Sequence, residues 1–291
     1  MKTSYRLRLL GRRAATALAA ATCAAVISFS QWPAATTAAA EAKEDAAESA
    51  GDWITLFDGK TLKGWHKNPE KIGHGTGGHW HIEPNGVLAG EQDPPGSGNG
   101  GILLTDRKFG DFELELELKP SWGVDSGVFL RSTDKGECLQ MTVDHYNGGN
   151  IGHYYGEATG GWVARAFSIE GVGEDGEPKS LKTIEEHDPK AVGMVSSCRP
   201  DEWLKAWKPG DWNKVRIRVE GGKYPRLTTW VNDVECGVWD GATSNAEKYD
   251  REAVAKLLGE KGSIAVQVHG GGSYPEGKKC RWRNIRVREL E

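Results

Sequence analysis

Residues able to do chemistry gather along three short segments of alternating polarity. In Ile264-Ala265-Val266-Gln267-Val268-His269, the branched apolar residues 264, 266 and 268 take one side of an extended strand, and Ala265, Gln267 and His269 take the other. Segment 126–131 sorts Val128 and Leu130 inward and Gly127, Phe129 and Arg131 outward; segment 138–144 sorts Leu139, Met141 and Val143 from Cys138, Gln140, Thr142 and Asp144. If these strands are neighbours in one sheet, a single face collects Arg131, Gln140, Asp144, Gln267 and His269 beside Phe129. Amides, a carboxylate, a guanidinium, an imidazole and an aromatic ring on a concave sheet face suit a polyhydroxylated ligand such as a sugar, and His269 and Asp144 are groups that can move a proton. A face wetted only by solvent is polar as well. It more often carries Lys, Glu or Thr than the Gln267 and His269 that close this apolar strand ahead of Gly270-Gly271-Gly272.

Other clusters read differently. Glu113, Glu115 and Glu117 alternate with Phe112, Leu114, Leu116 and Leu118, the pattern of a solvated convex face or edge. His74, His79 and His81 suggest a metal site, but His79 and His81 flank Trp80 on a strand and no carboxylate stands at ligand spacing, so surface or turn histidines are expected. Trp80, Trp212 and Trp230 sit where core or edge anchors belong. Trp122 and Trp162, in glycine-rich surroundings, are placed to stack on a sugar ring.

The elements that must hold these groups are short strands. Alternation marks 79–83, 111–118, 127–131, 138–144, 214–220, 227–232, 262–269 and 282–289, with turns such as Pro84-Asn85-Gly86 between them. One helix is expected from about 245 to 258, capped by Ser244 and ended by Gly259, and the charged segment 171–211 reads as a long loop insertion. Many strands with one helix predict an all-β sandwich of two antiparallel sheets, formed by a single domain over 52–291.

Residues 1–40 have the pattern of a signal peptide: Lys2, Arg6, Arg8, Arg12 and Arg13 precede a small, apolar stretch, and Ala38-Ala39-Ala40 offers a cleavage site. Residues 41–51 form an acidic, alanine-rich lead-in, and the exported chain is expected in the periplasm or outside the cell. Without the leader the balance is 32 basic against 41 acidic residues, which argues against a nucleic-acid partner, and no stop-transfer segment follows to make the chain membrane-spanning. Cys138, Cys198, Cys236 and Cys280 allow three disulfide pairings, which spacing leaves open, and the absence of Cys-x-x-Cys argues against a zinc ribbon.

Several segments together, in order, resemble the 3-keto-disaccharide hydrolase domain family of secreted bacterial proteins. They are 53–65 (WITLFDGKTLKGW), 109–114 (FGDFEL), 126–131 (SGVFLR), 208–213 (KPGDWN), 230–232 (WVN), 267–270 (QVHG) and 283–290 (RNIRVREL), covering about residues 52–290. The resemblance implies a concanavalin A-like jelly-roll β-sandwich acting on 3-keto-glycosides. Its polar site falls on Arg131, Gln140, Asp144, Gln267 and His269, the face already derived, with Phe129, Trp122 and Trp162 as further sugar contacts. Where many members place a glutamate two residues before the glutamine, this chain has Cys138, so the carboxylate is expected from Glu137, Asp144 or Glu157.

The implied chemistry is elimination. A ketone at C3 acidifies the hydrogen on C2; a base (His269 or Asp144) removes it, the enolate expels the glycosidic oxygen from C1, and water adds back. Arg131 and Gln140 would orient and polarise the keto-sugar, with a divalent cation as a candidate cofactor, and an upstream sugar 3-dehydrogenase would supply the ketone. The rival readings are a non-catalytic carbohydrate-binding module on the same fold, and then a cell-envelope interaction role. A conventional sandwich glycosidase would need Glu-x-Asp-x-x-Glu on one strand, which the 113–117 stripe does not match.

Overall fold

Period-two alternation builds both sheets of the computed structural model, which describes residues 51–173, 177–272 and 274–291. The expected leader, 1–40, and all but the last residue of the lead-in lie outside the described residues. In chain order the strands begin with β1 (Ile54–Thr55), β2 (Trp65–Lys67), β3 (His79–Glu83), β4 (Val87–Glu91), β5 (Gly101–Phe109) and β6 (Phe112–Leu118). Next come β7 (Gly127–Ser132), β8 (Cys138–Val143), β9 (Ile151–Glu157), β10 (Val163–Ala164), β11 (Ser168–Val172) and β12 (Ser180–Ile184). The chain closes with β13 (Ser196–Ser197), α1 (Pro200–Ala206), β14 (Asn213–Glu220), β15 (Arg226–Val231), β16 (Val234–Asp240), α2 (Arg251–Leu258), β17 (Gly262–Val268) and β18 (Cys280–Glu289).

These strands form an antiparallel jelly-roll β-sandwich. One sheet runs β13-β16-β15-β14-β6-β18-β4-β3, with β1 paired to β18; the other runs β10-β9-β8-β7-β17-β5-β2; β11 and β12 form a separate ribbon. Between the sheets lies one large apolar core, in which Leu114, Leu116, Ile217, Val287 and Trp282 face Val128, Leu130, Met141, Ile264 and Val266. Burying such side chains supplies about 1.5–3 kcal/mol each, so the register that keeps them inward is strongly fixed.

Glu113, Glu115 and Glu117 do face outward, but they are paired rather than solvated. Arg288, Arg286 and Arg283 on the neighbouring β18 hold them in turn, and Glu113 is only 2% exposed.

The helix begins later than its sequence pattern suggests. Asp250 caps α2 by accepting from the Ala253 amide, whereas Ser244 is engaged by Trp239 Nε1 and the Gly193 carbonyl; Gly259 ends the helix as expected. The 171–211 insertion is likewise ordered rather than a plain loop. It contributes β12, β13 and α1, and Trp203 of α1 is buried, donating to the Ile151 carbonyl at 3.1 Å. The pairing of β13 with β16 brings Cys198 beside Cys236, whose backbone atoms bond at 3.1 Å; all four described cysteines are thiols here.

Arg131 departs from its expected face. Its φ of +54° interrupts the alternation of β7. The guanidinium turns toward the loop ends of the sandwich, where the carbonyls of Gly110 and Gly222 and the carboxylate of Asp111 accept from it, and it is 1% exposed. A catalytic role for Arg131 is therefore corrected to a structural one. Arg131→Met leaves those acceptors unpaired and should cost about 3 kcal/mol of unfolding free energy, as measured by urea denaturation; an unchanged midpoint would contradict this assignment.

Candidate functional site

The outer face of the seven-stranded sheet is divided in two. Over one part, Ile72 packs on a small apolar cluster of Ile102, Leu104, Phe129, Cys138 and Ala265. Ile72 belongs to the segment between β2 and β3, which is tied down by Asn68 donating to the Gly75 and Glu70 carbonyls and accepting from the Ile102 amide. This covering segment carries His74 to the boundary of the other part, an open cleft of about 330 Å³. Asp125, Gln140, Thr142, Asp144, Tyr146, Tyr155, Glu157, Arg165 and His269 line it.

At the floor the β7–β8 and β7–β17 pairings put Gln140 and Ala265 on either side of Phe129. Gln140 donates to Gln267 Oε1 at 3.0 Å and to the Ser126 carbonyl at 3.3 Å. Glycine at 127 is required here, because a Cβ would stand 2.1 Å from Gln140 Nε2. Gln267 lies within hydrogen-bonding reach of His74 and is fully buried, so it supports Gln140 from beneath rather than touching a ligand itself.

The cleft holds two proton-bearing centres. At the first, His269 lies edge-on to His74 with ring centroids 4.9 Å apart, and His74 Nε2 is 3.3 Å from Glu157 Oε1. His269 Nδ1 sits 2.7 Å from the Gly270 carbonyl, which can only accept, so Nδ1 carries a hydrogen and Nε2 is the nitrogen left for proton exchange. At the second, Asp125 and Asp144 are hydrogen-bonded to each other, and Tyr146 donates to Asp125 at 3.4 Å. Burial is the main cause that raises the Asp125 carboxyl, opposed by His269 and His74. Burial and then the Asp125 charge push Asp144 well above the usual carboxylate range, while Arg165 pulls it down. The pair shares a proton because two buried carboxylates in contact cannot both ionise.

Of the residues singled out from sequence, Asp144, Gln140, Glu157 and His269 line the cleft, and Arg131, Gln267, Phe129, Trp122, Trp162 and Glu137 do not. Phe129 is fully buried under the covering segment. Trp162 is fully buried between the sheets, stacked on Trp239 at 4.6 Å, because Gly156 of β9 leaves room for its ring. Trp122 packs edge-on to His145 and against Gly171, and its amide donates to Glu177. Neither tryptophan presents a face to a sugar, which corrects the expected stacking. Glu137 is bonded to Thr133 in the β7–β8 hairpin. Glu157, another of the carboxylates expected from sequence, stands directly across from Cys138 in the β8–β9 register and lines the cleft.

His74, Asp125 and Arg165 carried no periodic signal, since each lies between strands. Among the described residues, the donors spaced for an ion are His79, His81 and Glu91, on the outer face of the other sheet, and the residues of the cleft are not among them.

Residues 52–288 match the model of a family described as a 3-keto-alpha-glucoside-1,2-lyase-like domain. A "3-keto-disaccharide hydrolase" from Bacteroides thetaiotaomicron is 26% identical over 255 residues, covering 83% of this chain and 80% of that protein. Among solved structures, a candidate glycosyl hydrolase from Parabacteroides distasonis aligns with a TM-score of 0.47 at 21% identity, over 82% of this chain and 100% of that one. A carbohydrate-binding module from Bacillus subtilis aligns with a TM-score of 0.40 at 12% identity, over 78% and 96%.

The raised carboxyl pair makes a stability prediction. Because its folded proton affinity exceeds that of the unfolded chain, the native state binds more protons above about pH 4, the unfolded carboxyl range, and stability falls as pH rises toward the raised values. Asp144→Asn removes one of the two competing charges. At pH 8 it should raise Tm by at least about 2 °C, the shift given by roughly 1 kcal/mol in a domain of this size, with a smaller gain at pH 4. A lowered Tm at pH 8 would show that the pair is not strained by charge.

Proposed function

The chain belongs to the 3-keto-alpha-glucoside-1,2-lyase-like domain family, and on that premise we propose that its cleft cleaves 3-keto-glycosides by elimination followed by hydration. The observation that supports this most is the placing of the His269 imidazole and a carboxyl pair of raised proton affinity in one small cleft. A candidate base and a candidate acid within one site are what an elimination needs.

In this reading His269 Nε2 removes the C2 hydrogen. The electrons move into the C3 ketone as an enolate, then return to expel the C1 oxygen, and the Asp125–Asp144 pair delivers its proton to that leaving oxygen. Water adds at C1 of the resulting enone, and C2 regains a proton from His269. Gln140 and Arg165, both in the cleft lining, supply hydrogen bonds to the sugar and its ketone oxygen, the role expected from sequence for Arg131. Glu157, 3.3 Å from His74 Nε2, fixes the orientation of the His74 ring, which packs edge-on to His269.

A simple carbohydrate-binding module has less support, because its two stacking candidates, Trp122 and Trp162, lie outside the cleft. The chemistry requires a dehydrogenase that oxidises sugars at C3 to act earlier, and the leader pattern places the reaction outside the cytoplasm.

Incubation with a chromogenic 3-keto-glucoside and with its unoxidised counterpart tests the proposal. Release is expected from the keto form alone. His269→Ala should lower it at least about 10²-fold, the scale of a lost general base, with the fold intact by circular dichroism. Equal release from both sugars, or a fully active His269→Ala, would refute it.

A further inference from the structure

The outer face of the nine-stranded sheet, away from the cleft, carries a second cluster. We propose that His79, His81 and Glu91 bind a divalent transition cation of the zinc type, clamping the β3–β4 hairpin at the sheet edge. Sequence spacing puts Glu83 two residues after His81, and strand register supplies a second carboxylate: His79 pairs directly with Glu91 across the hairpin, and His81 follows two residues along on the same face. The two rings lie 4.9 Å apart, and the ligand atoms of all three residues fall within 4.8 Å of one another. Among the described residues this is the group of histidine and acidic side chains with such spacing.

An independent observation points to a ligand. His81 Nδ1 is buried with no hydrogen-bond partner and lies 4.0 Å from the Glu91 carboxylate. An unpaired buried nitrogen costs free energy, and a cation on its lone pair removes that cost.

Lys279 Nζ stands 3.2 Å from Glu91 and 3.3 Å from His81 Nε2, showing that the cluster already favours positive charge. Glu83, 3.7 Å from both Lys279 and His81 Nε2 and held by Arg281, can retain the ammonium as the ion enters. It can also accept the Nε2 hydrogen of a metal-bound His81, the carboxylate support that ligating histidines commonly have. Two imidazoles and one carboxylate suit zinc, nickel or copper rather than calcium or magnesium, which prefer all-oxygen sets. Since the cluster and the cleft lie on the outer faces of different sheets, the ion would hold structure and take no part in bond cleavage.

Calorimetric titration of the full chain, without an affinity tag, using zinc chloride at neutral pH tests this. One equivalent should bind and raise Tm. The double variant His79→Ala/His81→Ala, and separately Glu91→Gln, should bind at least about 10-fold more weakly while remaining folded by circular dichroism. Lys279→Met, lacking the competing ammonium, should bind more tightly, and His269→Ala should bind as the parent does. No binding, unchanged binding in the double variant, weaker binding in Lys279→Met, or loss of binding in His269→Ala would overturn the proposal.

Discussion

Two carboxyl groups, on Asp125 and Asp144, meet where the protein can hold only one negative charge. Burial, then mutual repulsion, raises the proton affinity of the pair, in a cleft that His269 also lines. In the proposed elimination the pair is the acid and His269 the base, so the proposal needs both groups in one cleft. The rest of the architecture serves to hold this pair partly away from water while leaving room for a sugar.

That requirement explains how the seven-stranded sheet uses its outer face. The segment between β2 and β3 covers Phe129, Cys138 and Ala265 and delivers His74 to the boundary. Beyond that boundary the face stays open, with Gln140 positioned by the buried Gln267. The core side of the same strands is wholly apolar, so the polar groups cannot slip inward without exposing the core residues that fix the register. The other sheet's outer face carries an ion-pair lattice, and in the cleft beside it Glu115 and Glu117 are paired with Arg286 and Arg283.

Much of this was legible in the residues themselves. Alternation in 127–131, 138–144 and 262–269 located the sheet and placed Gln140, Gln267 and His269 on one side of it. Two kinds of information were not legible. Backbone conformation is one: the positive φ at Arg131 re-aims a side chain that simple alternation assigns to the cleft. Register between distant strands is the other. Glu157 stands across from Cys138 only because β9 pairs with β8 at that position, and Glu91 meets His79 only across a hairpin. Tryptophans misled for a related reason: glycine beside Trp162 signalled space for the ring to pack inside, not exposure.

The account stands on breaking the C2–H bond. Running the cleavage of a 3-keto-glucoside in D₂O and weighing the released keto-sugar tests that directly, with exchange in the absence of enzyme subtracted. With the proton on His269 exchanging with solvent between elimination and hydration, the account predicts deuterium at C2 of the product, and a primary isotope effect on cleavage when the substrate carries deuterium at C2. Product with no deuterium at C2, together with no such isotope effect, would mean that this hydrogen never leaves and that the glycosidic bond is cleaved by direct displacement instead.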